Sequence, residues 1–205
     1  MFAVVESGSI TSMPKGNKGI TIGDIRHPAS IFTVWTEAER NAIGVYTVEI
    51  DYTNKKDEEW YINTNITYTF DGTNETGSYG DATAKAHADT TWTQKQIDDG
   101  DAPDGADTDT VAVEGLKTRL IKTVKAQAEG ELNRTDWYVV RKAEEDTAIP
   151  SAITTHRRAV RSKQAAMETS ITNASDTPAL ETLYTYTRQE DGSVTRPLGE
   201  LPNLK

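Results

Sequence analysis

Leu132-Asn133-Arg134-Thr135-Asp136-Trp137-Tyr138-Val139-Val140-Arg141 is a polar break that runs into an aromatic pair, set between two segments with helical periodicity. Thr135 or Asp136 can open a helix, because either side-chain oxygen can accept from a backbone N–H that has no partner inside the first turn. Trp137 then falls in that first turn. Trp137, Tyr138, Val140 and Arg141 recur at three- and four-residue spacing, which places them on one side of the helix. An aromatic pair inside such a pattern reads as an anchor between packed helices rather than as a ligand-stacking site. The sequence therefore predicts a helical hairpin with Trp137 buried in its seam.

On the N-terminal side of the break, Leu116, Leu120, Val124, Ala128 and Leu132 form a stripe over about five turns, with Val113 and Ile121 beside it. Lys117, Arg119, Lys122 and Lys125 lie mostly on the other face. They lack interleaved aromatics, so they read as a solvated face that pairs with the acidic loop upstream rather than as a nucleic-acid site. On the C-terminal side, Ile149-Pro150-Ser151 starts a second helix, since proline suits the first turn. Ile153, His156, Val160, Met167 and Ile171 mark its apolar side, interrupted by Lys163, and Asn173 to Pro178 end it. Ala179 to Thr187 predict one more short element, Asp191-Gly192 a hairpin, and the residues from Pro197 onward an aperiodic tail, extended over a neighbour or loose.

Further toward the N-terminus the pattern is that of strands and loops. Met1 to Val5 and the segment restarting at Ile10 flank Ser7-Gly8-Ser9 and suggest a hairpin. Thr36, Glu39 and Gly44 outline a capping box and a stop around a two-turn helix, and Val45 to Asp51 follow as a strand. Trp60, Ile62, Ile66, Tyr68 and Phe70 share one parity, which predicts a single long strand with one buried face before a turn at Asp71-Gly72. The fold class expected is α+β, with a β-rich module and acidic loop over residues 1–110 and a helical-hairpin module with its tail over 111–205.

Composition bounds the function. The chain has 205 residues, a formal charge of -10, a mean hydropathy of -0.62 and no cysteine. Cysteine chemistry of every kind is thereby excluded. The acidic balance argues against wholesale binding to nucleic acid or to an anionic membrane, and no stretch approaches the roughly 20 apolar residues of a membrane span. The first residues have no basic flank and read as a strand in a protein that stays soluble where it is made. Between residues 71 and 115, eleven acids face only Lys85 and Lys95, so nearly all the net charge lies there. Asp98 to Asp109 hold many carboxylates, but no register supplies the ligand positions, glycine and final glutamate of a calcium loop; an exposed acidic loop is expected, with no metal ligand.

A resemblance adds to this reading. Thr135-Asp136-Trp137-Tyr138-Val139-Val140-Arg141, then Ala148-Ile149-Pro150, then His156-Arg157-Arg158-Ala159-Val160-Arg161, resembles the C-terminal helical module of bacteriophage tail proteins, including tail fibre assembly and tail assembly chaperone proteins. His156 and Arg157 stand where that module usually has an aromatic residue and an arginine. Residues from His27-Pro28 through Val48 are similar to the N-terminal module of marine-phage tail-associated proteins, and Thr195 to Glu200 resemble their ending. The resemblance implies that Trp137, Tyr138, Arg141, Arg158 and Arg161 serve as anchor and partner-contact residues.

Catalysis needs a constellation, and none is legible. Gly77-Ser78-Tyr79-Gly80 has Thr76 where a nucleophile elbow needs glycine, Met13 to Gly19 lack the lysine ending of a phosphate loop, and His27, His87 and His156 have no zinc spacing. Glu58 and Glu59, beside Trp60, are neighbours on a predicted strand and point to opposite faces, unlike a glycosidase pair. The expected role is a non-enzymatic structural component of a phage tail, connecting the tail body to fibres or forming part of a fibre base. A tail or tail fibre assembly chaperone that binds fibre proteins during morphogenesis is the alternative. Either would be made in the host cytoplasm, use no cofactor, and work as a homo-oligomer in contact with other tail or fibre proteins, with no nucleic acid or membrane partner.

Overall fold

The hairpin expected around Ser7-Gly8-Ser9 opens the chain: β1 (Phe2–Glu6) pairs antiparallel with β2 (Ser9–Ser12). The structure, a computed structural model, describes residues 1–204 and is α+β. It divides into two compact units, Met1–Thr83 and a second beginning at Ala84.

In the first unit, β2 leads to a small hairpin of β3 (Ile20–Ile22) and β4 (Ile25–His27), then to α1 (Ile31–Val34) and α2 (Glu37–Ala42). The capping box is present: Thr36 Oγ1 accepts from the Glu39 N–H, and Glu39 accepts from the Thr36 N–H at 2.7 Å. Gly44 stops α2 with φ of 79°, and a Cβ there would lie 2.5 Å from the Val5 carbonyl oxygen, so only glycine lets the chain turn this close to β1. β5 (Val45–Asp51) follows, with its bounds as the alternation predicts. Together with β7 (Ile66–Phe70) and β8 (Glu75–Tyr79) these strands form one sheet, in the order β2-β1-β5-β8-β7, antiparallel except where β5 and β8 run parallel. Val4, Ile31, Phe32 and Val45 make its core, joined by Phe2, Ile20, Ile22, Trp35 and Ile43.

The single strand expected from Trp60 to Phe70 is two. β6 (Tyr61–Ile62) ends at Asn63, whose side chain accepts from the Lys56 N–H at 2.8 Å and donates to the Lys56 carbonyl at 2.9 Å. Thr64 Oγ1 accepts from the Gly80 N–H at 2.7 Å. These side-chain bonds to backbone compete with the strand ladder and bend the chain out of register. Trp60 is buried while Ile62 is exposed, so the common parity does not become a common face.

β9 (Thr83–Ala84) stands at the division between the units. In the second unit, β10 (Thr90–Thr91) pairs with β11 (Val111–Val113), and between them lies the acidic excursion with the short helix α3 (Gln94–Asp98), which starts on a Thr93–Gln96 capping box. The helices α4 (Leu116–Asn133), α5 (Asp136–Glu145) and α6 (Ser151–Asn173) come next. The break between units comes well before the expected 110/111 boundary because residues 85–89 close helix ends. The Ala86 and His87 carbonyls accept from the Leu116 and Lys117 N–H groups at 3.0 and 2.9 Å. Asp89 accepts from Gly115 N–H at 2.7 Å and from Thr118 Oγ1 at 2.8 Å, and the Lys85 carbonyl accepts from Thr177 Oγ1 at 2.6 Å. Gly115 has no side chain to cap α4, so this upstream segment satisfies the orphan donors instead. It cannot belong to a separate β module.

The core of this unit is the pair of stripes legible in the sequence. Leu116, Leu120, Val124 and Ala128 of α4 are buried, as are Ile153, His156, Val160, Met167 and Ile171 of α6, the helix it chiefly packs against. α7 (Thr177–Tyr184) adds Leu180, starting where Asp176 accepts from the Ala179 N–H at 2.8 Å. The hairpin at Asp191-Gly192 is formed by β12 (Thr187–Arg188) and β13 (Val194–Thr195). The segment after it is held rather than loose: Leu198 is buried, its N–H donates to the Leu183 carbonyl at 3.0 Å and its carbonyl accepts from Lys163 Nζ at 2.7 Å. Lys163, which looks like a flaw in the apolar stripe, is the residue that fastens the tail.

Candidate interaction surface

α5 stands between the two long helices in sequence and none of its residues is buried. This overturns the expectation that Trp137 anchors the seam. Trp137 is 52% exposed, and Val139 and Val140 are exposed beside it. The rings of Trp137 and Tyr138 lie 3.8 Å apart between centroids, and the Arg141 guanidinium sits 4.8 Å over Trp137 and 5.4 Å over Tyr138. The result is a stacked aromatic and cationic ridge. Its members hold one another by ring stacking and by the attraction of a cation to the aromatic quadrupole.

What anchors the start of α5 is Thr135, fully buried, together with Arg157 of α6, 8% exposed. Thr135 occupies the position before the helix but makes no side-chain cap. Its Oγ1 donates to the Leu132 carbonyl at 2.9 Å and accepts from Arg157 Nη1 at 2.7 Å. The same Nη1 reaches the Leu132 carbonyl at 2.7 Å and the Asp136 carboxylate at 2.7 Å. One guanidinium therefore ties the last turn of α4, the turn between helices and the first residue of α5 to α6. The sequence carried a signal for this: Ile153, His156, Arg157 and Val160 follow the i, i+3, i+4, i+7 period, so Arg157 lies on the inward stripe.

Arg158 and Arg161 take the opposite course. Both are exposed, one helical turn apart on α6. They line an open groove of about 410 Å³ with Val139, Ile149, Thr154 and Arg157. Arg157 is neutralised by Asp136; among the described residues Arg158 and Arg161 have no ion-pair or hydrogen-bond partner for their guanidinium groups. The five residues expected to make contacts thus fall into two adjacent features, the ridge of Trp137, Tyr138 and Arg141 and the groove edged by Arg158 and Arg161. His156 is buried with its Nε2 3.9 Å from the Glu131 carboxylate, beyond hydrogen-bond range, and is a packing residue of the α4–α6 seam.

The basic face of α4 does not pair with the acidic loop at Asp98–Asp109 as expected, because nearer partners take its lysines. Lys122 pairs with Glu114, and Lys125 lies 3.7 Å from Glu168. Lys117 donates instead to the Thr172 carbonyl at 2.8 Å. The Gly115 N–H, the Thr118 hydroxyl and the Lys122 charge together hold the Asp89 carboxyl below its usual range. In the Asp98–Asp109 stretch, Asp107 is likewise lowered, by the Thr110 hydroxyl and nearby backbone N–H groups. No family model, curated protein or solved structure matches this chain.

Proposed function

We propose that this chain is a non-enzymatic structural component of a bacteriophage tail, connecting the tail body to fibres or forming part of a fibre base, where it works as a homo-oligomer in contact with other tail or fibre proteins. The observation that carries an interaction role is the outward face of α5. A Trp137, Tyr138 and Arg141 ridge stands on a helix with no fully buried residue, beside two arginines that have no counter-charge among the described residues. Trp, Tyr and Arg are the residues on which binding energy concentrates at protein interfaces, because they desolvate large surfaces at little conformational cost. The tail setting rests on the resemblance of the Thr135–Arg141 and His156–Arg161 segments to tail-protein modules.

Mass spectrometry of purified particles from a phage that encodes this chain is the test. Stoichiometric presence is the expected result. Presence in infected cells during assembly and absence from finished particles would replace this reading with that of a tail or fibre assembly chaperone. In either case Trp137→Ala with Arg141→Ala should reduce capture of the tail or fibre partner while leaving the circular dichroism spectrum unchanged, because these side chains contribute little to the fold.

A further inference from the structure

The unpaired arginines of the groove and the unpaired carboxylates of the acidic excursion occur in the same folded unit. Each is a half of a contact. The excursion is presented from a defined base, since β10 and β11 pair at its ends and Asp89 is bonded to the first residues around α4. All six of its aspartates are exposed. Asp99 is already paired with Lys95, Asp98 accepts from Gln94 at 2.8 Å, and Asp107 is engaged by Thr110 at 2.7 Å. Among the described residues the side chains of Asp101 and Asp104 make no hydrogen bond or ion pair. They flank Ala102-Pro103, just ahead of a turn over residues 103–106 that is closed by the Ala106 N–H to the Pro103 carbonyl at 3.0 Å, and the Asp101 N–H donates to the Gln96 carbonyl at 2.9 Å.

The groove offers the complement. Arg158 and Arg161 are three residues apart on one helix, which sets their Cβ atoms about 5–6 Å apart. Val139 and Ile149 supply an apolar floor in the same cavity of about 410 Å³. Planar guanidiniums select carboxylates through paired N–H donors, and a small apolar step such as Ala102-Pro103 suits the floor between them. Among the described residues no hydrogen bond or ion pair joins the two features, which leaves both open to a second molecule.

We propose that the groove between α5 and α6 receives the Asp101-Ala102-Pro103-Asp104 segment of a second copy of this chain. The contact joins two different surfaces, so it closes either reciprocally in a two-fold dimer or from copy to copy in a ring or filament. This inference rests on the self-assembling role given above and narrows it to one contact. The overall charge of -10 opposes close approach. At about 0.15 M salt the screening length is about 8 Å, so this repulsion is damped while contact pairs persist.

Sedimentation velocity of the full chain up to millimolar concentration, at that salt, tests it. The wild type should self-associate. Arg158→Glu/Arg161→Glu and Asp101→Lys/Asp104→Lys should each weaken association by at least about tenfold, because each sets like charges against one another. The chain carrying all four substitutions should associate again, and this arm guards against simple misfolding of either pair. A wild type that stays monomeric throughout, self-association indifferent to the Arg158/Arg161 reversal, or failure of the fourfold variant to recover would each overturn the contact. None of those results would change whether the chain is found in purified tails, so the two readings fail separately.

Discussion

Each unit of this protein buries one charged side chain, and the two are treated in opposite ways. In the helical unit Arg157 has three acceptors, the Leu132 carbonyl, Thr135 Oγ1 and Asp136. In the β unit Glu75, 1% exposed at the start of β8, has neither carboxylate oxygen hydrogen-bonded. Burial without a partner disfavours the charged form, and it raises the Glu75 carboxyl above its ordinary 4.5. A satisfied buried charge fixes geometry, here the exit angle of α5, whereas an unsatisfied one weakens the fold that contains it. The helical unit surrounds its buried guanidinium with acceptors, whereas the β unit leaves its buried carboxylate without a hydrogen bond.

The largest break in this comparison should come from the α4–α6 seam itself. Met167, 1% exposed, packs at the centre of the stripe, and Met167→Ala should cost about 2–5 kcal/mol in chemical denaturation. Arg157→Ala tests the tie: losing its acceptors' donor in a buried site should cost about 2–4 kcal/mol, somewhat less than for a wholly buried ion pair because Asp136 remains half exposed to water. Arg157→Lys should recover only part of that, since the shorter lysine side chain places its ammonium short of the Nη1 position that meets all three acceptors. A negligible change for Arg157→Ala would mean that the three acceptors are satisfied by water and that the contrast with Glu75 is empty.

The β unit should respond with the opposite sign. Glu75→Met removes an unpartnered buried carboxylate and should stabilise by about 1–3 kcal/mol at neutral pH. Because the folded-state value is raised, the carboxyl is equally protonated in both states below the unfolded value of 4.5, and the penalty develops only as pH rises through the folded value. The gain from the substitution should therefore shrink toward zero in acid. Asp89 should behave in the reverse manner. Its carboxyl is lowered from 3.8, so its contribution is present above that pH and is lost as pH falls below it. Asp89→Ala should lower Tm at neutral pH, with the difference from wild type narrowing in acid. Parallel pH profiles for the two variants would erase the distinction.

The smallest effect should come from the most conspicuous residue. Trp137→Ala should change stability by no more than about 0.5–1 kcal/mol, because the ring is half exposed and its contacts are with Tyr138 and Arg141 on the same helix. A loss of several kcal/mol would return Trp137 to the role of a core anchor.

Much of the architecture was legible in neighbouring residues. The Thr36–Glu39 box, the Gly44 stop, the β5 alternation, the α4 and α6 stripes and the Asp191-Gly192 turn each depend on interactions within a few positions, and each appears where its pattern places it. A cap, a period and a turn are local physics, so one strand of sequence suffices to read them. Tertiary structure decided the rest. It decided that Asn63 would break a strand by bonding Lys56, that residues 85–89 would close helices far along the chain, and that Lys163 would hold Leu198. It also decided which polar residue of the Thr135–Arg161 region would be buried. Composition favours a buried tryptophan and an exposed arginine, yet Trp137 is outside and Arg157 inside. Whether a charge can be buried depends on where its acceptors lie in space, and the acceptors of Arg157 come from a segment more than twenty residues away.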